Sequence, residues 1–108
     1  MYRLLVMYHQ PADTAAFDKH YYNVHLPLAA KIPNTRTLSV SKTGLDKLTN
    51  NDNYYLIAQM EWDSKDAMTK ALQTPEGIAS HDDFVAFAGD RVTMIGYEVS
   101  AVEPGSGA

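Results

Sequence analysis

The stretch "YYLIAQMEW", residues 54–62, decides the fold class of this chain. It is rich in aromatic and aliphatic residues and has the length of a β-strand. Apolar side chains fall on both of its alternating sets, with Leu56 and Met60 on one and Tyr55 and Ile57 on the other. Because successive side chains of a strand point to opposite faces, this pattern predicts a strand that is covered on both sides.

Similar strands lie at the two ends of the chain. "YRLLVMYH", residues 2–9, and "RVTMIGYEV", residues 91–99, also carry apolar residues on both alternating sets. Residues 35–43, "TRTLSVSKT", alternate polar and apolar side chains, and the polar loop at residues 44–53 then leads into residues 54–62. We therefore predict four strands, of which the second and third form a hairpin.

A helix is predicted between the first and second strands, from Thr14 to Val24, with Asp13 as its N-cap. Pro27 disfavours the α conformation at Leu26, so we expect His25 at the frayed end of this helix. In the turn that follows, Asn34 is a residue that tolerates a left-handed backbone. The helix spacing also predicts a buried stripe of Phe17, Tyr21, Val24 and Leu28.

Two further helices are predicted between the third and fourth strands. One is capped by Asp63 or Ser64, and the other runs from the cap Thr74 to Gly89. The order βαββ(αα)β is the ferredoxin-like pattern of an α+β protein, an antiparallel four-stranded sheet with its helices on one face. We predict a single domain over residues 1–100 and a flexible tail over residues 101–108. The simplest cover for the second sheet face is another copy of the chain, so a homodimer is expected.

Composition and charge exclude several function classes. The 9 basic and 13 acidic residues give a net charge of −4, and without a basic cluster we expect no nucleic-acid partner. The absence of a long apolar run predicts no membrane partner, and the chain is expected to be cytoplasmic. With no cysteine and no phosphate-binding glycine loop, thiolate chemistry is excluded and no bound cofactor is expected.

His20 and His25 are the residues with the clearest chemical potential. On an ideal helix they lie roughly 140° apart, at opposite margins of the buried stripe, so they are not a chelating pair. No HExxH or similar spacing occurs, and no metal site is expected. His25, near the space between helix and sheet, is our candidate acid–base group. The alternative is that His25 only caps the helix end and His20 is solvated.

Aromatic side chains could form a pocket for a flat or apolar ligand, although such residues more often belong to the core. His81 stands beside Asp82 and Asp83, a cluster for which a solvated helix face is the favoured explanation. The predicted ligand-pocket set is His20, Tyr21, Tyr22, Tyr54, Trp62 and His81.

The strand ending "YHQP" and the helix "FDKHYYNVHLPLAAKIPN" together resemble the EthD family, named for ethyl tert-butyl ether degradation. The family signature is an aromatic-rich helix followed by His-x-Pro-Leu and a Pro-Gly turn. This chain carries it at Phe17, Tyr21, His25, Pro27, Leu28 and Pro33, with Asn34 in place of the usual glycine.

The resemblance implies a dimeric α+β barrel, in which two ferredoxin-like sheets pack face to face and a ligand lies between sheet and helices. Cofactor-independent monooxygenases, muconolactone isomerase-like proteins, polyketide cyclases and heme-degrading enzymes share that barrel. We therefore expect a small apolar or aromatic ligand and proton transfer by His25, in an oxygenase or an isomerase. The alternatives are a noncatalytic accessory protein of a cytochrome P450 system and, less favoured, heme binding.

Overall fold

The computed structural model of the chain describes residues 1–49 and 53–105. Its elements are β1 (Tyr2–His9), α1 (Thr14–His20), a π-helical turn (Tyr21–His25), α2 (Leu26–Ala29), β2 (Thr37–Val40), β3 (Tyr54–Trp62), α3 (Lys65–Leu72), α4 (Pro75–Phe87) and β4 (Val92–Glu98). All neighbouring strands are antiparallel, in the order β2-β3-β1-β4. The predicted ferredoxin-like α+β fold is confirmed.

The predicted strand and helix ends agree with the structure at most positions. β1 and β3 span their predicted residues, whereas β2 is shorter because it pairs with β3 over four residues at the sheet edge. Each predicted N-cap accepts a backbone N–H: Asp13 from Ala16, Ser64 from Ala67 and Thr74 from Gly77. Residues 50–52 of the predicted loop and residues 106–108 of the predicted tail lie outside the described residues.

One face of the sheet forms the core against the helices. The buried side chains on this face come from the two central strands, and they are Leu4, Val6, Tyr8, Leu56, Ala58, Met60 and Trp62. The pairing shifts by one residue between Tyr8 and His9, which are opposite Leu56 and Tyr54. This bulge leaves Tyr55 without a partner on β1, and its ring packs against Phe17 of α1.

The other face, called the open face below, carries Leu5, Met7, Ile57 and Ile95 at its centre. Beside them Arg3 donates to Glu61, with Nη2 and Oε2 3.0 Å apart, and Thr37 donates to the other oxygen of Glu61 at 2.8 Å. No described helix covers these side chains, because all described helices lie on the core face. The expected second apolar face is therefore present, with a charged network along one side.

The first helix does not end at Val24 as predicted. It continues to Ala29 through the π-helical turn, and Leu26 keeps α-helical angles while its N–H bonds to the carbonyl of Tyr21. Pro27 lacks an N–H, and its ring would collide with a carbonyl one α-helical turn earlier. The wider π turn relieves this collision, so the chain continues where the sequence predicts a stop.

The π turn also changes which side chains are buried. Val24, predicted in the buried stripe, is 42% exposed, whereas His25 is only 6% exposed. Tyr21 is buried as predicted, and Phe17 and Leu28 are half-buried. The extra residue per turn rotates the helix by about one position, so the imidazole of His25 takes the place predicted for Val24.

Asn34 has a positive φ of 61°, as its place in the predicted turn requires. We expect Asn34→Gly to melt at the same temperature as the wild type or slightly above it. Asn34→Val should lose about 1 kcal/mol or more of unfolding free energy, because a β-branched side chain is strained at positive φ. Thermal unfolding followed by circular dichroism compares the variants, and equal melting temperatures would contradict a left-handed turn.

Val24 and Tyr21 provide a test of the π turn. Because Tyr21 is 1% exposed, Tyr21→Ala should lower the unfolding free energy by about 3–5 kcal/mol. Val24→Ala should change it by less than about 0.5 kcal/mol, as is usual for exposed positions. Chemical denaturation measures both values. A cost of several kcal/mol for Val24→Ala would instead support an uninterrupted α-helix.

Candidate functional site

A cavity of about 260 Å³ lies between the core face of the sheet and helices α3 and α4. Its walls are mostly apolar. They are formed by Leu4, Val6, Tyr8, Ile32, Met60, Leu72, Gly77, Ser80, His81, Phe84 and Met94. A cavity of about 150 Å³ is enough to admit benzene. The space therefore suits a molecule of one or two rings.

Gly77 sets the distance between the two helices that border the cavity. A Cβ atom at this position would lie 2.5 Å from the carbonyl oxygen of Ala71 and 2.6 Å from the Cα of Leu72. Both atoms belong to the backbone of α3, so neither can move without moving the helix. Glycine is therefore required for α3 and α4 to approach this closely.

Few polar side chains reach the cavity wall. Tyr8 and Ser80 are buried, and His81 is exposed at the surface beside them. Burial raises the pKa of the Tyr8 hydroxyl well above its ordinary value, with smaller contributions from Tyr21 and Asp83. The phenol therefore remains protonated at neutral pH and can donate a hydrogen bond.

A second polar cluster joins the first helix to the last. Asp83 of α4 lies between two imidazoles, with Oδ2 3.0 Å from Nδ1 of His25 and Oδ1 2.9 Å from Nε2 of His20. Oδ2 is also 3.1 Å from Nε2 of His20, so one carboxylate oxygen contacts both rings. The side chain of Asp83 is only 15% exposed.

The π turn brings the two histidines together. They are five residues apart, and the i to i+5 repeat of a π turn places such residues one above the other. The expected separation of His20 and His25 to opposite margins of the helix is therefore wrong. The expected solvated face around Asp83 is wrong as well, because its carboxylate faces α1 rather than water.

Burial lowers the pKa of His25 below its ordinary value, and this effect outweighs the hydrogen bond that His25 donates to Asp83, which raises the pKa. A positive charge on His20 lowers the pKa of His25 further. His25 is therefore mainly neutral at pH 7. With Nδ1 donating to Asp83, the lone pair of this tautomer lies on Nε2, the atom of a potential general base.

His25 lies close to the cavity but not in its wall. The ring of Phe84 lines the cavity, and its centroid is 6.2 Å from the centroid of the His25 ring. Phe87 packs against His25 at 5.0 Å, and Tyr21 at 5.7 Å. One aromatic side chain thus separates the imidazole from the empty space.

The structure does not gather the predicted pocket set at one place. Of these residues, His81 lines the cavity and His20 belongs to the Asp83 cluster. Tyr21 is in the core, and Trp62 is fully buried, its Nε1 without a hydrogen-bond partner among the described residues. Tyr22 lines a separate polar cleft with Asp18 and Lys42, and Tyr54 stacks near His9 on the open face.

Tyr8, Ser80 and Asp83 are candidate site residues that were not selected from the sequence. The sequence contains a signal for Ser80 and Asp83. One face of α4 carries, at helical spacing, Gly77, Ser80, Phe84 and Phe87. Asp83 immediately precedes Phe84 and borders that face. Among the described residues, no group of three or more His, Cys, Asp or Glu side chains, the Asp83 cluster included, is placed to hold a metal ion. No described helix is both long and apolar enough to cross a membrane.

Comparison with known proteins identifies close relatives over nearly the whole chain. An uncharacterised 11.0 kDa protein from the thcB–thcC intergenic region of Rhodococcus erythropolis is 37% identical over 105 residues, 96% of this chain and all of that protein. The crystal structure of an ethyl tert-butyl ether degradation (EthD) family protein from Bacillus halodurans C-125 is 36% identical. It matches with a TM-score of 0.83, over 93% of this chain and 99% of that one.

More distant structures share the fold alone. They include a hydroxynitrile lyase from Passiflora edulis, at 12% identity and a TM-score of 0.73 over 95% of this chain and 96% of that one. SnoaB, a cofactor-independent oxygenase from Streptomyces nogalater, is 14% identical and matches with a TM-score of 0.63, over 95% of this chain and 96% of that one. A dimeric ferredoxin-like protein of unknown function from Bacteroides fragilis is 16% identical and matches with a TM-score of 0.64, over 91% of this chain and 95% of that one.

The family model of the EthD domain matches residues 9–91, which contain the π turn, the Asp83 cluster and all of α4. The match includes the His-x-Pro-Leu segment at residues 25–28, from which the resemblance was first inferred. Together with the two relatives above 35% identity, it shows that the chain belongs to the EthD family.

Proposed function

We propose that this protein binds a small, largely apolar molecule in the cavity between the sheet and helices α3 and α4, and that His25 takes a proton from it. The observation that carries the proposal is the buried, mainly neutral His25, held by Asp83 at 3.0 Å and one aromatic ring away from the cavity. A general base needs an available lone pair at the working pH, and the mainly neutral His25 offers one on Nε2.

The walls of the cavity favour one chemical class of ligand. Apolar side chains surround most of the space, and the protonated Tyr8 and the hydroxyl of Ser80 are the buried polar groups among its lining residues. They suit a single carbonyl or hydroxyl oxygen on an otherwise apolar molecule. A carbon acid next to a carbonyl group, such as a bicyclic ketone, has both features.

In the proposed reaction, Nε2 of His25 removes a proton from carbon, and a hydrogen bond from Tyr8 stabilises the negative charge that develops on the ligand oxygen. Phe84 has to turn aside for the imidazole to reach the ligand.

If the carbanion is protonated at another atom, the protein is an isomerase. If it reacts with dioxygen, the protein is an oxygenase. The lyase and the oxygenase that share the fold support an enzyme.

A noncatalytic ligand-binding or accessory protein is the alternative. In that protein Asp83 and the two histidines only hold α1 against α4. This structural role explains equally well why Asp83 has a low exposure and contacts both histidines. Ligand binding is common to both functions, whereas proton transfer by His25 distinguishes them.

We also propose a homodimer in which the open faces of two copies pack together. Leu5, Met7, Ile57 and Ile95 would otherwise leave an apolar patch across three strands, interrupted by Gln59 beside Leu5 and Thr93 beside Met7. Such surfaces on soluble proteins commonly mark interfaces. The dimeric protein from Bacteroides fragilis supports this assembly on the same fold.

Deuterium exchange of 2-tetralone, a bicyclic ketone with acidic C–H bonds, tests both parts of the proposed site. The wild type should shift the Met60 and Met94 methyl signals on binding and should accelerate exchange in D₂O. His25→Gln should retain the binding shifts and lose about 100-fold or more of the exchange rate, the usual contribution of a general base. Nuclear magnetic resonance measures binding and exchange in the same sample.

Two substitutions on α4 serve as a matched pair for this experiment. Ser80 lines the cavity, and Ser80→Leu should fill it and abolish both binding and exchange. The neighbouring Ala79 is exposed, and Ala79→Leu should leave both unchanged. Binding without His25-dependent exchange would support the noncatalytic alternative, and the absence of binding would overturn the proposed site.

The proposed dimer predicts a mass near 24 kDa, twice the 12.0 kDa of one chain, by light scattering at micromolar concentration. Leu5→Glu, at the centre of the open face, should produce monomers because it places a charge in the interface. Ile78→Glu, on the exposed face of α4, should leave the dimer intact. A monomeric mass for the wild type would exclude this interface.

A further inference from the structure

The Asp83 cluster runs from the buried base to the protein surface. The exposed fraction of the side chain increases from 7% for His25 to 15% for Asp83 and 36% for His20. Each step is a hydrogen bond of 2.9–3.1 Å, and Oδ2 of Asp83 contacts both imidazoles. A continuous hydrogen-bonded path of three titratable groups therefore connects His25 to the outside.

The outer end of this path opens on a surface cleft that, in the described part of the chain, shares no lining residue with the cavity. His20 lines a surface cleft of about 320 Å³, formed by the start of α1 and the end of α4, together with Phe17, Phe87 and Arg91. Among the described residues, none of the cavity lining belongs to that cleft. The aromatic rings of Phe84 and Phe87 lie beside His25 and are unable to carry a proton.

We propose that Asp83 and His20 form the route by which His25 exchanges its Nδ1 proton with water, through the cleft and separately from the ligand cavity. The biological purpose of this route rests on the proposed function of His25 as a base. Once Nε2 of His25 has taken a second proton, the imidazolium gives its Nδ1 proton to Oδ2 of Asp83. A neutral His20 that carries its proton on Nδ1 accepts the transferred proton from Oδ2 at Nε2 and releases its own Nδ1 proton to water. His25 is then neutral again, and the cluster has lost one proton. His20 and Asp83 are positioning residues, because neither touches the ligand.

The groups around His25 favour this direction of transfer. Tyr21 on its own helix and Tyr8 on β1 are phenols whose pKa burial raises, so they stay protonated and do not compete for the proton. On α4, Asp83 is the charged group that contacts His25. A positive charge on His20 lowers the pKa of His25, so the state in which both imidazoles are protonated is disfavoured.

Exchange of the His25 Nδ1–H with water, measured by nuclear magnetic resonance on the ligand-free ¹⁵N-labelled protein, tests the route. His20→Gln keeps an N–H donor for Asp83 but is unable to accept or release a proton near neutral pH. We expect the His25 Nδ1–H signal to persist in this variant and its exchange to slow by about tenfold or more. Imidazole added to the solution should restore the rate, because it can enter the open cleft and replace the missing ring.

Lys19→Gln is the matched control, because Lys19 precedes His20 on α1, is exposed, and lines neither the cavity nor the cleft. It should leave the exchange rate unchanged. An unchanged or faster exchange in His20→Gln would overturn the proposal, and so would a slowed rate that imidazole does not restore. Because no ligand is present, this result is independent of the 2-tetralone experiment. The proton route and the proposed function can therefore fail separately.

Discussion

The missing N–H of Pro27 is the constraint on which the site depends. A proline at this point interrupts α-helical hydrogen bonding, and the chain continues because the preceding residues widen into a π turn. That single extra residue turns His25 toward the core and Val24 toward solvent. It also places His20 and His25 on the same side of the helix, so that one carboxylate contacts both rings. The chemistry of the cluster is thus a consequence of backbone geometry within the first helix.

Asp83 shows how a charged group is retained inside an aromatic core. Leaving a buried carboxylate without partners is costly, and charge-assisted hydrogen bonds of about 1.5–3 kcal/mol each offset this cost. Asp83 has such bonds to both histidines, and the rings of Phe87 and Phe84 pack against His20 and His25 respectively. Because one partner lies on each side of the π turn, the carboxylate also fixes the orientation of α1 against α4.

The strands, the helix caps and the left-handed Asn34 could be predicted because each depends on local rules of alternation, capping and φ. The continuation of the first helix could not be predicted, because a buried stripe with 3.6 residues per turn places Val24 in the core and His25 at the end of the helix. Asp83 was missed for a related reason. Two acidic residues beside a histidine indicate a solvated face, and the contact with His20 spans 63 residues. His25 is buried, as expected of an imidazole between helix and sheet, but its contact with Asp83 was not predicted.

Gly77 has a consequence for how the wall of the cavity can vary. The approach of α3 to α4 beside the cavity is limited by the contact of two helix backbones, rather than by the length of a side chain that could be exchanged for a longer or shorter one. Even one methyl group at this position would push α3 and α4 apart as rigid bodies. Divergence at this position would therefore proceed in a discrete step, with the shape of the cavity changing together with helix spacing instead of gradually through substitutions in the wall.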